Sequence, residues 1–271
     1  MKKLSIKIIT LFPKFVEDFV GNFGIVKRAV KLKLLDIKAV NLRSFGLDER
    51  QTVDDRPYGG GVGMVLRADV LYKGIMSACR VGSRPYPTTG KQKQSRVILL
   101  TPQGQKFNQK MAQRLAKYDR LIFVCGRYEG FDERIRQFAD EEISIGDYVL
   151  MGGELPALVI SEAVMRLRPG ILGKDESADK ESFFELVDNT RGHANRQQVL
   201  EYPQYTKPEI WKLGNKSAGG GSASGGKFKI FRVPKVLLSG HHKNIEEFRK
   251  TESLKRTKMR RPDLLALTKM T

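Results

Sequence analysis

Arg120-Leu121-Ile122-Phe123-Val124-Cys125-Gly126-Arg127-Tyr128-Glu129-Gly130 is the stretch on which the fold turns. An apolar run this short, ended abruptly by glycine, reads as a buried strand that empties into a tight loop. Working outward, Ser5 to Leu11, Asp36 to Leu42 and Ser95 to Thr101 have the same texture. Between and after them, Phe107 to Tyr118 and Leu158 to Leu167 carry apolar residues at helical spacing. Buried strands separated by amphipathic helices predict an α/β layer around a mostly parallel sheet. Ligands of such sheets bind outside the carboxyl ends of the strands, on the loops that follow.

Those loops are where glycine collects. Four segments stand out: Tyr58-Gly59-Gly60-Gly61-Val62-Gly63-Met64, Gly126 to Gly130, Ile145-Gly146-Asp147-Tyr148-Val149-Leu150, and Gly152-Gly153-Glu154. Glycine lets a backbone approach a ligand closely. One such segment alone reads as a tight turn, but several bordering predicted strands read as a ligand cleft. None has the G-x-G-x-x-G spacing of dinucleotide folds, which disfavours a nicotinamide or flavin cofactor.

Beyond Arg168 the texture changes. Gly173 to Gln198 is polar and mixed in charge, which predicts a mobile linker. A smaller unit follows from about Tyr202, and residues 227–271 hold 13 basic against 4 acidic residues. Asn244 to Thr257 reads as a basic helix with Ile245 and Phe248 turned inward. Ser217 to Gly226 is rich in glycine and serine and reads as a flexible loop. Within it, Gly221 to Lys227 imitates a phosphate loop, but Phe228 stands where a hydroxyl must be, and no strand precedes it.

The whole chain of 271 residues carries 49 basic and 30 acidic residues, a net charge of +19, with 40% apolar residues. That composition suits a folded protein with a polyanionic partner. Nucleic acid is favoured over membrane, because the most apolar region, Tyr148 to Met165, is broken by Glu154, Pro156 and Glu162. The opening Met1-Lys2-Lys3 imitates a secretory leader, yet Lys7, Pro13 and Lys14 spoil it, so a cytoplasmic protein is expected. Cys79 and Cys125, the only cysteines, suggest neither a disulfide framework nor a zinc site.

Taken in order, the motifs resemble one family. They are Thr10-Leu11-Phe12-Pro13, Thr52 to Tyr58 with the glycine run, Thr101 to Gly104, Cys125 to Gly130, Ser144 to Leu150 and Gly152 to Leu155. Tyr202 to Thr206, Leu237 to Gly240 and Arg260-Arg261-Pro262-Asp263 complete the series. Together they resemble the bacterial tRNA (guanine-N1)-methyltransferases that modify the guanosine 3′ to the anticodon. The resemblance implies an α/β, SPOUT-type parallel sheet with a deep trefoil knot, plus a small helical C-terminal domain. It divides the chain into a catalytic domain (1–168), a flexible linker (169–201) and a basic helical tRNA-binding domain (202–271). It implies a homodimer whose active sites are shared between subunits, and the anticodon stem-loop of tRNA as partner.

The same resemblance implies S-adenosylmethionine as methyl donor. Carried onto this chain, its site comprises Thr101, Pro102, Gln103, Gly126, Tyr128, Glu129, Ile145, Gly146, Asp147, Tyr148, Val149, Leu150, Gly152 and Gly153. Backbone groups on such loops can read an adenine edge, while Leu100, Ile145 and Leu150 cover its faces. Glu129 is placed near the ribose or the amino-acid tail; its alternative role is an ion pair with Arg127 or Arg134. Magnesium is also implied, but no acidic cluster locates it.

Methylating guanine N1 requires a base for its proton and a donor for the charge that develops on O6. The family's base is an aspartate just before a Ser-Phe pair. This chain has Glu181-Ser182-Phe183 there, a carboxylate reaching about 1.5 Å further. Asp179 is the fallback. Arg166 takes the place of the arginine that steadies the oxygen; a cation closing a helix is its alternative role. Arg249, Lys255, Arg256, Arg260 and Arg261 are candidate phosphate contacts, and Asp54, Asp55 and Arg56 candidates for reading the neighbouring guanosine. Their alternative is internal pairing of Asp54 and Asp55 with Arg56 and Arg50. Val187 to Gln198 and the Gly/Ser run look like insertions, and His241 and Phe248 replace the usual Asn and Trp. Competing expectations are another knotted RNA methyltransferase, such as a ribose methylase, or an RNA-binding protein without catalysis.

Overall fold

A computed structural model of the chain describes residues 3–79, 95–172, 181–188, 195–213 and 229–266. Asp179, most of the expected Gly173 to Gln198 linker and the Ser217 to Gly226 loop lie outside the described residues. The chain divides into two compact units, Met1–Ala178 and Asp179–Thr271.

The first unit is built on five parallel strands. In chain order its elements are β1 (Leu4–Thr10), α1 (Pro13–Asn22), α2 (Gly24–Lys31), β2 (Leu35–Asn41), the short pair β3 (Asp54–Asp55) and β4 (Val65–Leu66), and α3 (Ala68–Cys79). Then come β5 (Ser95–Lys106), α4 (Gln109–Leu115), β6 (Arg120–Cys125), β7 (Glu141–Ser144) and α5 (Glu154–Met165). The sheet order is β2-β1-β6-β5-β7, and every neighbouring pair in it is parallel.

Side chains alternate across a strand, so each strand feeds two cores. Leu121, Phe123 and Cys125 of β6 join Ile6, Ile8, Ile98 and Leu100 under α1, α2, α4 and α5. Ile122 and Val124 join Ile9, Val97 and Leu99 under α3. Burial on both faces is why these strands read as unbroken apolar runs.

Three boundaries depart from expectation, each for a local reason. Strand β5 continues past Pro102 to Lys106 after a break in register: Ile143 is partner first to Leu100 and then to Gln105, so residues 101–104 leave the ladder. Helix α4 starts at Gln109 because the Asn108 side chain accepts a hydrogen bond from Met111 N at 2.9 Å. Helix α5 starts at Glu154, with Pro156 in its first turn, where a missing N–H leaves no bond unmade.

The second unit is not purely helical. It comprises β8 (Phe184–Asp188), β9 (Asn195–Val199), β10 (Ile210–Leu213), β11 (Lys229–Arg232), α6 (Lys235–Leu238), α7 (His242–Arg260) and α8 (Asp263–Ala266). Strands β8 and β9 form one antiparallel pair and β10 and β11 another. The first pair falls inside the stretch expected as linker, and the second inside the domain expected as helical. Ile210-Trp211-Lys212-Leu213 and Lys229-Ile230-Phe231-Arg232 are four residues each and do not alternate apolar with polar, so no period of two marks them as strands. In α7, Ile245 and Phe248 are half-buried, whereas Ser253 and Thr257 are fully buried. Thr257 Oγ1 accepts from Leu200 N at 2.9 Å and donates to Ser253 O at 2.7 Å.

Candidate active site

Parallel strands bring the loops after β6 and β7, and the break in β5, to one edge of the sheet. Between them lies a cleft of about 360 Å³. Thirteen of the fourteen residues expected to hold the methyl donor line it: Thr101, Pro102, Gln103, Gly126, Tyr128, Glu129, Ile145, Gly146, Tyr148, Val149, Leu150, Gly152 and Gly153. The exception is Asp147, which sits on the surface in an ion pair with Lys106. Leu100 joins Ile145 and Leu150 in the wall.

Two glycines make this packing feasible. A side chain on Gly104 would place its Cβ 2.4 Å from Ile143 N and 2.5 Å from Glu142 C, so the bulge closes back onto β7 only with glycine. A Cβ on Gly153 would lie 2.7 Å from Cys125 Cα, where the start of α5 presses on the end of β6. Gly153 N donates to Gly126 O at 3.0 Å at that contact. The bulge is held from outside as well. Arg136 donates to Gln103 Oε1 at 2.6 Å and pairs with Glu133 and Glu142. Tyr128, in the loop after β6, sits in the left-handed region at φ 58°, a costly conformation for a bulky side chain.

Beneath the cleft is a buried charge relay of contacts. Glu154, 5% exposed, accepts from Thr10 Oγ1 at 2.7 Å. Its other oxygen lies 3.4 Å from Arg127 Nε without hydrogen-bond alignment, and that buried N–H has no other partner among the described residues. The Arg127 guanidinium stacks on Phe12, 4.3 Å from the ring centre. Arg127, Phe131, Glu133, Arg136, Ser144 and Met151 all line the cleft, yet were not among the expected site residues. Arg127 stood inside the quoted motif and could have been chosen; Arg136 and Glu133 come from a 3-10 turn, Glu133–Phe138, that carries no motif.

Glu129 takes neither of its alternative partners. Arg127 faces Glu154, and Arg134 pairs with Asp132 at 2.6 Å. The Arg134 hydrogen bond holds the Asp132 carboxyl below the usual carboxylate range. Glu129 N donates to Met64 O at 3.0 Å, which ties this loop to the glycine run. There a second cavity of about 440 Å³ is lined by Arg56, Pro57, Gly60, Gly61, Gly63 and Met64. Asp54 pairs through the backbone with Leu66; Asp55 forms its ion pair with Arg67 at 2.8 Å, and its other carboxylate oxygen accepts from the Arg56 backbone N at 2.8 Å. Arg56 makes no ion pair among the described residues.

Arg166 is the C-cap of α5, and its N–H donates to Glu162 O at 3.2 Å. In the second unit, Glu181 is half-buried and its carbonyl accepts from Phe184 N at 3.2 Å. The next two residues are tied down: Glu201 N donates to Ser182 Oγ at 3.1 Å, and Phe183 N to Val199 O at 2.7 Å. The carboxylate thus stands on a short turn fixed to the end of β9. Of the basic candidates, Arg260 and Arg261 are exposed and Arg256 is half-buried. Arg261 is already paired with Asp263 at 2.6 Å, and Arg249 stacks on Tyr202 at 4.6 Å. Lys255 is near Glu252 at 3.8 Å. Among the described residues, no group of three or more His, Cys, Asp or Glu side chains is placed to hold a metal ion. No described helix is long and apolar enough to cross a membrane.

A family profile described as tRNA (Guanine-1)-methyltransferase TrmD matches residues 4–218 and 221–267. Several relatives carry the name tRNA (guanine-N(1)-)-methyltransferase. One from Dictyoglomus turgidum is 44% identical over 270 residues, covering 99% of this chain and 92% of its own. One from Sulfurihydrogenibium sp. is 41% identical, covering 98% and 89%. One from Brevibacillus brevis is 43% identical, covering 97% and 91%.

Proposed function

The chain belongs to the tRNA (guanine-1)-methyltransferase family, and from that membership we propose that it methylates N1 of the guanosine 3′ to the anticodon, with S-adenosylmethionine as donor. The observation that carries the donor assignment is the cleft at the strand ends. Its volume of about 360 Å³ lies in the range of small-molecule sites. Its walls pair backbone-rich glycine loops with Leu100, Ile145 and Leu150, a fit to a purine read along its edge and covered on its faces. The Arg127 guanidinium, which lines the cleft, brings a positive charge to the wall. S-adenosylmethionine, when bound, supplies an electrophilic methyl group on a sulfonium.

The chain's own residues do the rest. The loops at 101–103, 126–129 and 145–153 bind and orient the donor, with Glu129, which makes no ion pair among the described residues, placed to meet a ribose hydroxyl or an ammonium. Alignment of donor and nucleophile is itself a large part of the rate. Glu181 takes the N1 proton, which frees the ring lone pair, and Arg166 faces the charge that develops on O6. Arg56, with Asp54 and Asp55, reads the neighbouring base, and Arg249, Arg256, Arg260 and Arg261 take phosphates. The knotted topology, the domain division at 168 and 201, the mainly helical character of the tRNA-binding part beside its β10–β11 ribbon, the homodimer with shared sites, the cytoplasmic location and a magnesium requirement complete the proposal on the strength of the family resemblance.

The test is methyl transfer to unmodified tRNA transcripts that differ only at the guanosine 3′ to the anticodon. Labelled methyl on N1 of that base alone is expected. Equal labelling of a transcript lacking it defeats the proposal, and a ribose-methylated product supports a different knotted methyltransferase. No transfer and no thermal shift with S-adenosylmethionine supports a non-catalytic RNA-binding protein.

A further inference from the structure

Strands β10 and β11 form a two-stranded ribbon that no other described strand extends. Trp211 lies opposite Phe231, Ile210 opposite Arg232, Lys212 opposite Ile230 and Leu213 opposite Lys229. The alternation puts Trp211, Leu213, Lys229 and Phe231 on one face. The Trp211 and Phe231 rings stack with centres 5.1 Å apart and 27° between planes, and Lys229 Nζ lies 5.3 Å from the Phe231 ring. Yet Trp211 is 54% exposed and Phe231 38%. All eight strand residues are exposed. Lys212, Lys229 and Arg232 face no acidic residue within the strands, and none makes an ion pair among the described residues.

Two strands alone are marginally stable in water, so this ribbon holds costly aromatic area in solvent. Stacked rings beside unneutralised cations are what single-stranded nucleic acid needs: every base has a stacking face, and each is flanked by phosphate. A second copy of the ribbon would add three more cations beside the first three, so charge favours a polyanion over self-association.

We propose that β10–β11 is an RNA-contact ribbon: an unpaired tRNA base stacks on Trp211 and Phe231, while Lys229 on the same face holds a flanking phosphate, and Lys212 and Arg232 on the opposite face add to the positive potential of the ribbon. This rests on the tRNA assignment above and adds a contact separate from the arginines of α7 and its C-cap. Trp211 is the chain's only tryptophan, so intrinsic emission reports on the ribbon directly. With the full-length protein, emission should fall on titration with an unmodified tRNA transcript and saturate together with filter binding. Trp211→Ala with Phe231→Ala should weaken tRNA binding tenfold or more, in line with about 1–3 kcal/mol per stacked base. Trp211→Phe, which keeps a ring, should restore most of it. Lys229→Glu should flatten the dependence of log affinity on log salt by about 1. Donor affinity, and turnover at saturating tRNA, should match the parent. Unchanged emission at saturating RNA, or parental tRNA affinity in the ring-deleted protein, overturns the proposal. Emission that changes on dilution without RNA overturns it in favour of a second copy. A protein that methylates without quenching loses the ribbon alone; one that quenches without methylating keeps the ribbon and loses the methyltransferase reading.

Discussion

At the scale of single residues, the proposed chemistry depends on two carboxylates in opposite settings. Glu181 stands on a tethered turn and is assigned to proton removal, so Glu181→Gln should lower single-turnover methylation at least a hundredfold, the lower end of what a positioned base contributes. Donor affinity by calorimetry should change less than twofold; equal losses in both would remove the role. Glu154 is buried between Thr10 and Arg127. Glu154→Gln keeps the Thr10 bond but strips Arg127 of its counter-charge. Urea unfolding should register a loss of about 1–3 kcal/mol, and donor binding should weaken with it because Arg127 lines the cleft. Retained stability with retained donor affinity would show that Arg127 is positioned by Phe12 alone. Such residues differed in how visible they were beforehand. The glycine loops announce themselves because backbone approach needs glycine. Arg136 gives no such sign, since its effect on Gln103 arises only when a 3-10 turn folds back over the bulge.

Elements show the same split. Strand β6 was legible to the residue, because burial on both faces leaves an apolar run with polar or glycine ends. The far half of β5 was hidden behind Pro102, a residue that usually ends a strand. Its continuation depends on Gly104 passing within contact of β7, a tertiary fact with no local signature. Gly104→Ala should therefore be among the most damaging small substitutions. Its Cβ would strike backbone, not a movable side chain, and a loss above about 2 kcal/mol is expected from overpacking. The measurement is the urea midpoint together with donor affinity; a variant with both unchanged would mean that the bulge can open without cost. The β8–β9 and β10–β11 pairs escaped notice because polar composition was read as linker and basic composition as helix. Strands of four residues are too short to assert a period of two, and the order Ile-Trp-Lys-Leu does not alternate at all.

For the molecule as a whole, the core holds two buried thiols, Cys79 at the end of α3 and Cys125 at the end of β6, where reagents do not reach. Burial pushes Cys79 up to about 11 from an ordinary 9.0 and Cys125 well above that ordinary value. Because the folded-state value of Cys79 is raised, its contribution to stability is whole below pH 9.0 and is lost progressively as pH climbs through about 11. A thiol-reactive chromophore at pH 8 should find no fast-reacting cysteine in the native protein and two after denaturation. A rapid stoichiometric reaction in the native state would show that the core opens at the end of α3 or of β6. The net charge of +19 has the opposite reach, acting at the surface and at a distance.

The hydroxyl pair Ser253 and Thr257 at the centre of the second unit has a thermodynamic consequence. A helix fastened by hydroxyls and little aliphatic area gives up only a small hydration penalty when it lifts away. Its amides should then trade protons for deuterons sooner than those of the sheet. A nucleic acid gripping this region would be felt first as slowed isotope uptake there, before any change in the melting of the parallel strands.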